Sequence, residues 1–552
     1  MRPMTRFTAG VTALALAGAA AAAAQAIRIR VPKVHVVVPH IHVTPQMRGG
    51  GRPGPDSAMV SGFLASLGHA DATVCEMAVN QLGNSWGNWG GGAQNGLRDR
   101  TEADRTAQAR LGGSVSDARA LGLLTASLAD QSPCVRRAAA RFLASSTLPE
   151  ALDRLRSAAQ AGNPRTREAA LLGLGEADDA ASFDVMLRGL RDSDPYVARM
   201  GAWGLGQLQD QRSVAPLIEA LRSGDAGVRE TSAWALGNIQ DKRAVEPLVP
   251  LLRDGSADVR ATTAHALGEI QDARATSGLV NVLSDADVEV RRAAAHALGE
   301  IQDHAAVDGL IRALKDADID VRQAAAHSLG EIQDPRAAEP LAALLASGDA
   351  NADVRQAAAH ALGELGVTHA PAGLIAALKD KDADVRQAVA HSLGEIQDHG
   401  AVDGLIGALR DPDADVRQAA AHALGEIQDP RAGDPLAALM SDGNADVRQA
   451  AVHSLGELEL KRAPAGLVAA LHDGDADVRQ AAVHTLGEIA DPATVPALSE
   501  AFKDTDTDVR RAVIHALGEI EGGASTDVLV SAMKDSDPEI RRAAAHALGQ
   551  KD

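Results

Sequence analysis

Residues 320–332 read DVRQAAAHSLGEI, and the spacing of their apolar side chains governs the reading of the whole chain. Val321, Ala324, Ala325, Leu329 and Ile332 fall three, four and seven residues apart, on one face of an α-helix. The pattern Val-Arg-x-x-Ala-x-x-x-Leu-Gly returns along the chain, with its Arg position at 136, 167, 198, 229, 260, 291, 322, 355, 386, 417, 448, 479, 510 and 541. Those are fourteen units. Every step is 31 residues except one of 33 between Arg322 and Arg355, where SGDANADVR carries two extra loop residues, and position 198 is Ala. A fixed period over 552 residues predicts one stack of supersecondary units in place of three or four separate domains.

The quoted stretch is the second helix of a pair. It begins at an Asp cap, followed in some units by proline at the first helical position, as in Asp194-Pro195 and Asp537-Pro538. The first helix follows a turn such as Gln333-Asp334-Pro335 and carries a stripe such as Leu341, Leu344 and Leu345. One position within it is Pro216, Pro247, Gly278, Gly309, Pro340, Gly373, Gly404, Pro435, Gly466 or Pro496, which predicts a bend at the same place in each unit.

Aromatic residues make up 2% of the chain, so its core is built from small side chains in closely packed helices. The formal net charge of -20 and the scarcity of aromatics exclude nucleic acid as an expected partner: they leave neither the clustered cations that bind phosphates nor a base-stacking platform.

Residues 1–26 read as a secretory signal, with Arg2 and Arg6, an apolar stretch from Phe7 to Ala24, and Ala24-Gln25-Ala26 at the cleavage site. The stretch is mostly Ala and Gly, too weakly hydrophobic for stable membrane insertion. Cleavage after Ala26 removes Arg2 and Arg6 and takes the charge from -20 to -22. The protein is thus expected to be exported, to the periplasm or the extracellular space. Residues 27–56 are an extended or disordered tail and linker: IRIRVPKVHVVVPHIHV at 27–43 is rich in β-branched residues but broken by Pro32 and Pro39, and MRGGGRPGP follows at 47–55. His35, His40 and His42 lack a fixed scaffold and make a weak metal site.

Residues 57–114 form degenerate amino-terminal repeats, with Cys75 at the Arg position of one of them and a Gly-, Trp- and Asn-rich break from Ser85 to Gly96; the regular array runs from 115 to 552. Cys75 and Cys134 are the only cysteines. In an oxidising compartment they either pair or stand as two small buried residues. The last unit ends at His546-Ala-Leu-Gly-Gln-Lys-Asp552 without a polar capping helix, leaving that repeat open to end-to-end self-association or to a partner.

From about residue 115 to 550 the D-x-x-V-R-x-x-A-A-x-A-L-G pattern resembles the HEAT repeat superfamily, in particular its phycobilisome-lyase type. The resemblance implies an all-α, right-handed α-α superhelical solenoid of about fourteen repeats, with first helices on the convex side and second helices on a concave, ligand-facing side. It also implies an inter-repeat ladder from the Arg column and the Asp that stands six residues before it in most repeats, such as Asp254 with Arg260 and Asp380 with Arg386. Such repeats serve as scaffolds, bilin-lyase subunits and di-iron hydroxylases. The hydroxylase branch binds iron through His-Glu doublets, and this sequence has none; Gln356-Ala357 stands at one matching position. Nothing marks a chromophore site.

A second column lies three residues before the Gly: His265, His296, His327, His360, His391, His422, His453, His484, His515 and His546. Nine of these ten are followed four residues later by Glu, from Glu269 to Glu519, and many are preceded by Gln or Arg, as in Gln323, His327 and Glu331. This ridge is open to three readings: a solvated ladder copied with the repeat, a pH-responsive surface for a protein or peptide on which Glu favours the charged imidazole, or a metal surface. Upstream the column holds Trp203 and Trp234, with Leu172 and Arg141 before them. The two tryptophans are either a local binding site or a cover for the junction with the degenerate repeats.

The expected function is a non-enzymatic interaction scaffold that binds a protein or peptide along the second-helix face from Trp203 to His546, with no catalytic residues, metal or cofactor. A metal-dependent hydroxylase-like or bilin-lyase-like enzyme or subunit is the alternative.

Overall fold

The structure is a computed structural model that describes residues 57–68, 115, 117–346, 349–520, 523–535 and 537–549. The expected leader and tail, Cys75, and the Ser85–Gly96 break lie outside these residues. The chain divides into two compact units, 1–235 and 236–552. Among the described residues every regular element is helical, with 29 α-helices and 13 short 3-10 helices. Each unit is a solenoid of stacked helix pairs.

All fourteen second helices lie where the period puts them, from Pro133–Ala144 to Pro538–Gly549. In Ile319–Ile332 the side chains of Val321, Ala324, Ala325, Leu329 and Ile332 are at most 4% exposed. An Asp carboxylate starts most of these helices: Asp287 accepts from the amides of Glu289 and Val290, and Asp194, ahead of Pro195, accepts from those of Tyr196 and Val197. The glycine of Leu-Gly sets how closely successive second helices approach. A Cβ on Gly237 would stand 2.7 Å from Ala266 Cα, so only glycine lets the two backbones meet. Hydroxyls reinforce the seam, with Ser328 donating to the Ala295 carbonyl at 2.9 Å and Ser392 to that of Ala359 at 2.8 Å.

The first helices do break at a repeated place. Each of several opens with a 3-10 turn and continues as an α-helix, as in Gln211–Ser213 before Val214–Ala220, which holds Pro216. In Val307–Ala313 the column residue is Gly309, where a Cβ would stand 3.1 Å from Leu283 Cδ1 and Val280 Cγ1. Proline and glycine thus exchange at one position, the third residue after the change of helix type, as at Pro216 in Val214–Ala220 and Gly309 in Val307–Ala313.

The Arg column ties the pairs together. Arg260 donates to both carboxylate oxygens of Asp285, 25 residues ahead in the next repeat, at 2.8 Å each, and its third nitrogen donates to the backbone carbonyl of Asp254 at 2.8 Å. Asp285 in turn accepts from the Asp287 amide at 2.9 Å. The same fork recurs as Arg291–Asp316, Arg355–Asp380, Arg386–Asp411, Arg417–Asp442, Arg448–Asp473 and Arg479–Asp504. Arg322 reaches Asp349 across 27 residues at 2.8 Å, so the two-residue insertion falls between ladder partners without breaking the contact. Where position 198 is Ala, Arg199 takes over and holds Asp225 at 2.9 Å. Burial opposes ionisation of Asp380, but the hydrogen bonds from Arg355 and the Asp382 amide, with the Arg355 charge, hold its carboxyl below the usual range.

The turn after most second helices is strained. Gln240, Gln271, Gln302, Gln333, Gln397 and Gln428 adopt φ between 52° and 56°, a left-handed conformation usually left to glycine at this position. Gln240 and Gln397 use it to donate to the next repeat, to the Glu269 carboxylate and the Glu426 carbonyl, both at 3.2 Å.

Two stability predictions follow from these contacts. Arg355 is 1% exposed, so Arg355→Ala leaves Asp380 half-buried and unpaired and should destabilise the array by roughly 3 kcal/mol; an unchanged urea midpoint would refute the ladder's structural role. Gln302→Gly relieves left-handed strain and should raise stability by about 0.5–1 kcal/mol after the glycine's entropy cost, read as a higher urea midpoint; a lower one would mean that the glutamine's contacts outweigh its strain.

Candidate functional site on the second-helix face

The ten histidines occupy one register on successive second helices. His296 is half-buried and the other nine are exposed. The glutamates four residues on do not simply project into solvent. The space that a Cβ would fill on Gly268 is taken by the carboxylate of Glu300, from the next repeat, and the same holds for Gly299 with Glu331, Gly330 with Glu364, Gly363 with Glu395, Gly394 with Glu426 and Gly425 with Glu457. Glycine therefore serves the backbone contact and also makes a recess for the neighbouring carboxylate.

This packing changes the electrostatics expected from helical spacing alone. His327 Nε2 lies 3.5 Å from Glu331 Oε1 and His391 Nε2 lies 3.6 Å from Glu395 Oε1, so the i,i+4 pairs exist but are long. Burial, then the neighbouring His265 and His327, push the His296 pKa down to about 4. Although their rings reach solvent, the packed helices around them partly desolvate His265 and His422 and lower both, with Arg292 adding to the effect at His265 against Glu269 and Glu457 opposing it at His422. His360 moves the same way through burial and the flanking His391 and His327. Carboxylates move oppositely: burial, then Glu269 and Glu331, push Glu300 up to about 7, although its side chain still reaches solvent. At these four histidines the expected bias toward imidazolium is reversed, because desolvation and like neighbours outweigh one glutamate.

Three repeats of the ridge line a groove of about 560 Å³. Gln356 and His360 come from Ala352–Glu364, Asp384, Gln387 and His391 from Ala383–Ile396, and Asp415, Gln418, His422 and Glu426 from Ala414–Ile427; Glu457, at the end of Ala445–Glu457, closes the wall. The structure thus brings His360, His391 and His422 together. His265, His296, His327, His453, His484, His515 and His546 share their register without lining this groove. Asp384 and Asp415 carry no distinguishing signal in the sequence, since each sits in the Asp-Val-Arg start common to the repeats.

Trp203 and Trp234 are half-buried, and each ring lies over the glycine of the preceding second helix, Gly175 and Gly206 respectively. They fill the recess that carboxylates fill downstream. Arg141, in the same column, pairs with Glu176 of the next repeat at 2.7 Å. The most amino-terminal described helix, Ser57–Leu67, sets Phe63 edge-on to Phe142 with ring centroids 5.8 Å apart.

Cys134 is disulfide-bonded, and the other cysteine in the sequence, Cys75, lies outside the described residues. Among the described residues no three His, Cys, Asp or Glu side chains converge to hold a metal ion, and no helix is long and apolar enough to cross a membrane.

Helix pairs joined by an Arg–Asp ladder and a glycine seam define a tandem α-helical repeat protein. The chain belongs to the HEAT repeat family, whose model matches residues 93–175, 155–228, 214–284, 276–363, 344–411, 370–456, 403–475 and 464–549. The match indicates a repeat fold and no catalytic family. No curated protein matches the chain. Among solved structures, importin beta crystallised in an ammonium sulfate condition is similar in fold, with a TM-score of 0.53 and 15% identity over 90% of this chain and 78% of that one. Kap95p, solved in a study of its binding to RanGDP, gives a TM-score of 0.45 and 13% identity over 89% and 83% of the two chains.

The raised pKa of Glu300 yields a pH test. A carboxyl that titrates near 7 when folded, against an ordinary 4.5, contributes its full stability below the unfolded value and loses it as pH rises through 7. Glu300→Gln should therefore raise the melting temperature at pH 8 and leave it unchanged at pH 4. Equal shifts at the two pH values would show that Glu300 titrates normally.

Proposed function

We propose that this protein is an exported, non-enzymatic scaffold that holds a protein or peptide on its second-helix face, the concave side in HEAT-repeat geometry. The groove from Gln356 to Glu457 carries this reading. It is a long, shallow, polar surface repeated helix by helix, suited to an extended partner and lacking the convergent side chains of an enclosed reaction site. The half-buried indoles of Trp203 and Trp234 extend the same column with anchors of a kind that dominates interfaces. Export is supported by the leader-like residues 1–26 and by the disulfide at Cys134, a bond that persists in oxidising compartments. The phycobilisome-lyase type of repeat rests on the D-x-x-V-R-x-x-A-A-x-A-L-G pattern alone.

A photo-crosslinking residue introduced separately at Gln387, at Gln418 and at Glu339, an exposed first-helix position, tests the assignment in the native envelope or medium, where the mature chain should begin at Ile27. Adducts to the same outside protein are expected from Gln387 and Gln418 and not from Glu339. Their absence from both groove positions, or equal adducts from Glu339, would sink the reading.

A further inference from the structure

The groove lacks a cation that the repeats flanking it supply for themselves. Every second helix from Ala257–Ile270 to Pro538–Gly549 carries an acid in its first turn, from Asp258 to Glu539, a place the helix dipole favours. Three residues after that acid the chain reads Arg292, then Gln in each repeat from Gln323 to Gln480, then Arg511 and Arg542. Where this residue is Arg, it pairs with the acid of its own helix: Arg292 with Glu289, Arg511 with Asp508 at 3.2 Å and Arg542 with Glu539 at 2.6 Å. Arg292 also faces Asp320 of the next repeat at 4.0 Å. Where it is Gln, the acid has no such partner within its helix.

Asp384 and Asp415 belong to that glutamine stretch and line the groove. Among the described residues no hydrogen bond or ion pair engages either carboxylate, and no Lys or Arg lines the groove. The ladder arginines beside them do not compensate, because Arg386 is held by both oxygens of Asp411 and Arg417 by both oxygens of Asp442. The imidazoles add little positive charge, since partial desolvation lowers His360 and His422. Glu426 and Glu457 extend the acidic lining along the wall, so the surface is complementary to a cation brought from outside.

The groove is also periodic. Gln356, Gln387 and Gln418 stand in one register on successive helices, and each amide offers both a donor and an acceptor to a peptide backbone. Packed helices lie roughly 8–10 Å apart and an extended chain advances about 3.3 Å per residue. One repeat therefore matches about three residues of extended chain. A small polyamine would meet the carboxylates and leave the amides unused.

We infer that the partner held in this groove presents an extended cationic segment, with a Lys or Arg at about every third residue set against Asp384 and Asp415 and its backbone against Gln356, Gln387 and Gln418. The partner thereby supplies, repeat by repeat, the cation that Arg292, Arg511 and Arg542 supply at the flanks. This rests on the reading of the second-helix face as a docking surface.

The test is fluorescence anisotropy on the full mature chain with two labelled synthetic peptides of identical composition, one repeating Lys-Ser-Val three times and one with its three lysines adjacent at one end. The spaced peptide should bind on the order of tenfold more tightly. Gln387→Arg/Gln418→Arg, which installs in the groove the residue found at the flanks, should weaken that binding by on the order of tenfold, and Asp384→Asn/Asp415→Asn should do the same. Asp320→Asn/Asp508→Asn removes equal charge from the same helix position where an arginine already stands, and should leave the affinity unchanged; all variants are compared at matched circular dichroism and urea midpoint. Equal affinity for the two peptides, indifference to Gln387→Arg/Gln418→Arg, or equal losses from the two aspartate pairs overturns the inference. Crosslinks from Gln387 and Gln418 to an outside protein that map to a segment without Lys or Arg overturn it and leave the scaffold reading standing. Spacing-dependent peptide binding with no outside adduct does the reverse.

Discussion

Each ladder Asp from Asp285 to Asp504 serves three groups at once. Its carboxylate receives the forked guanidinium of the preceding repeat and the amide two residues ahead, while its carbonyl receives the guanidinium of its own repeat, as Asp285 does for Arg260, Asp287 and Arg291. Exposed ion pairs contribute little, typically under about 1 kcal/mol. These are different, because the guanidiniums are largely buried, the geometry is bidentate, and the remaining nitrogen is satisfied by backbone. The ladder also fixes register. With Arg and Asp 25 residues apart, each helix pair can meet the next in one way, and the glycine seam then brings the second helices close enough for carboxylates and hydroxyls to cross between them.

That closeness produces the chemistry of the exposed face. A solvated His–Glu pair at i,i+4 would bias imidazole toward its charged form. Once second helices pack through glycine, each column stacks on itself, His296 between His265 and His327, and Glu300 between Glu269 and Glu331. Burial, and then these like neighbours, depress His296 and raise Glu300. The packing that aligns the columns therefore also sets the protonation of Glu300, and Asp384 and Asp415 line the groove from the helix starts.

Much of this architecture was legible in the sequence. The Arg positions located every second helix, and the Asp six residues earlier pointed to the ladder. What could not be read was direction. Spacing pairs Asp254 with Arg260, whereas the side chain of Arg260 turns forward to Asp285 and only the carbonyl of Asp254 is used. The shift from position 198 to Arg199 was readable one residue along, but only once Asp225 was known to need a partner. The left-handed glutamines gave no signal, because Gln lacks the conformational preference that makes glycine conspicuous there. The groove escaped notice for another reason: Asp384, Gln387 and His391 are ordinary members of every repeat, and it is their juxtaposition with Gln356 and Gln418 that makes a wall.

The recess over each second-helix glycine explains how the face can vary while the stack stays constant. Gly175 and Gly206 accept an indole, and Gly268 through Gly425 accept a carboxylate, in the same geometric position. Neither occupant participates in the Arg–Asp fork, so exchanging one for the other leaves the step between repeats intact. Period and surface chemistry are thereby carried by separate columns of the repeat. The occupant of the recess changes along the sequence, from the indoles of Trp203 and Trp234 to the glutamates that follow, while the glycine beneath it stays the same.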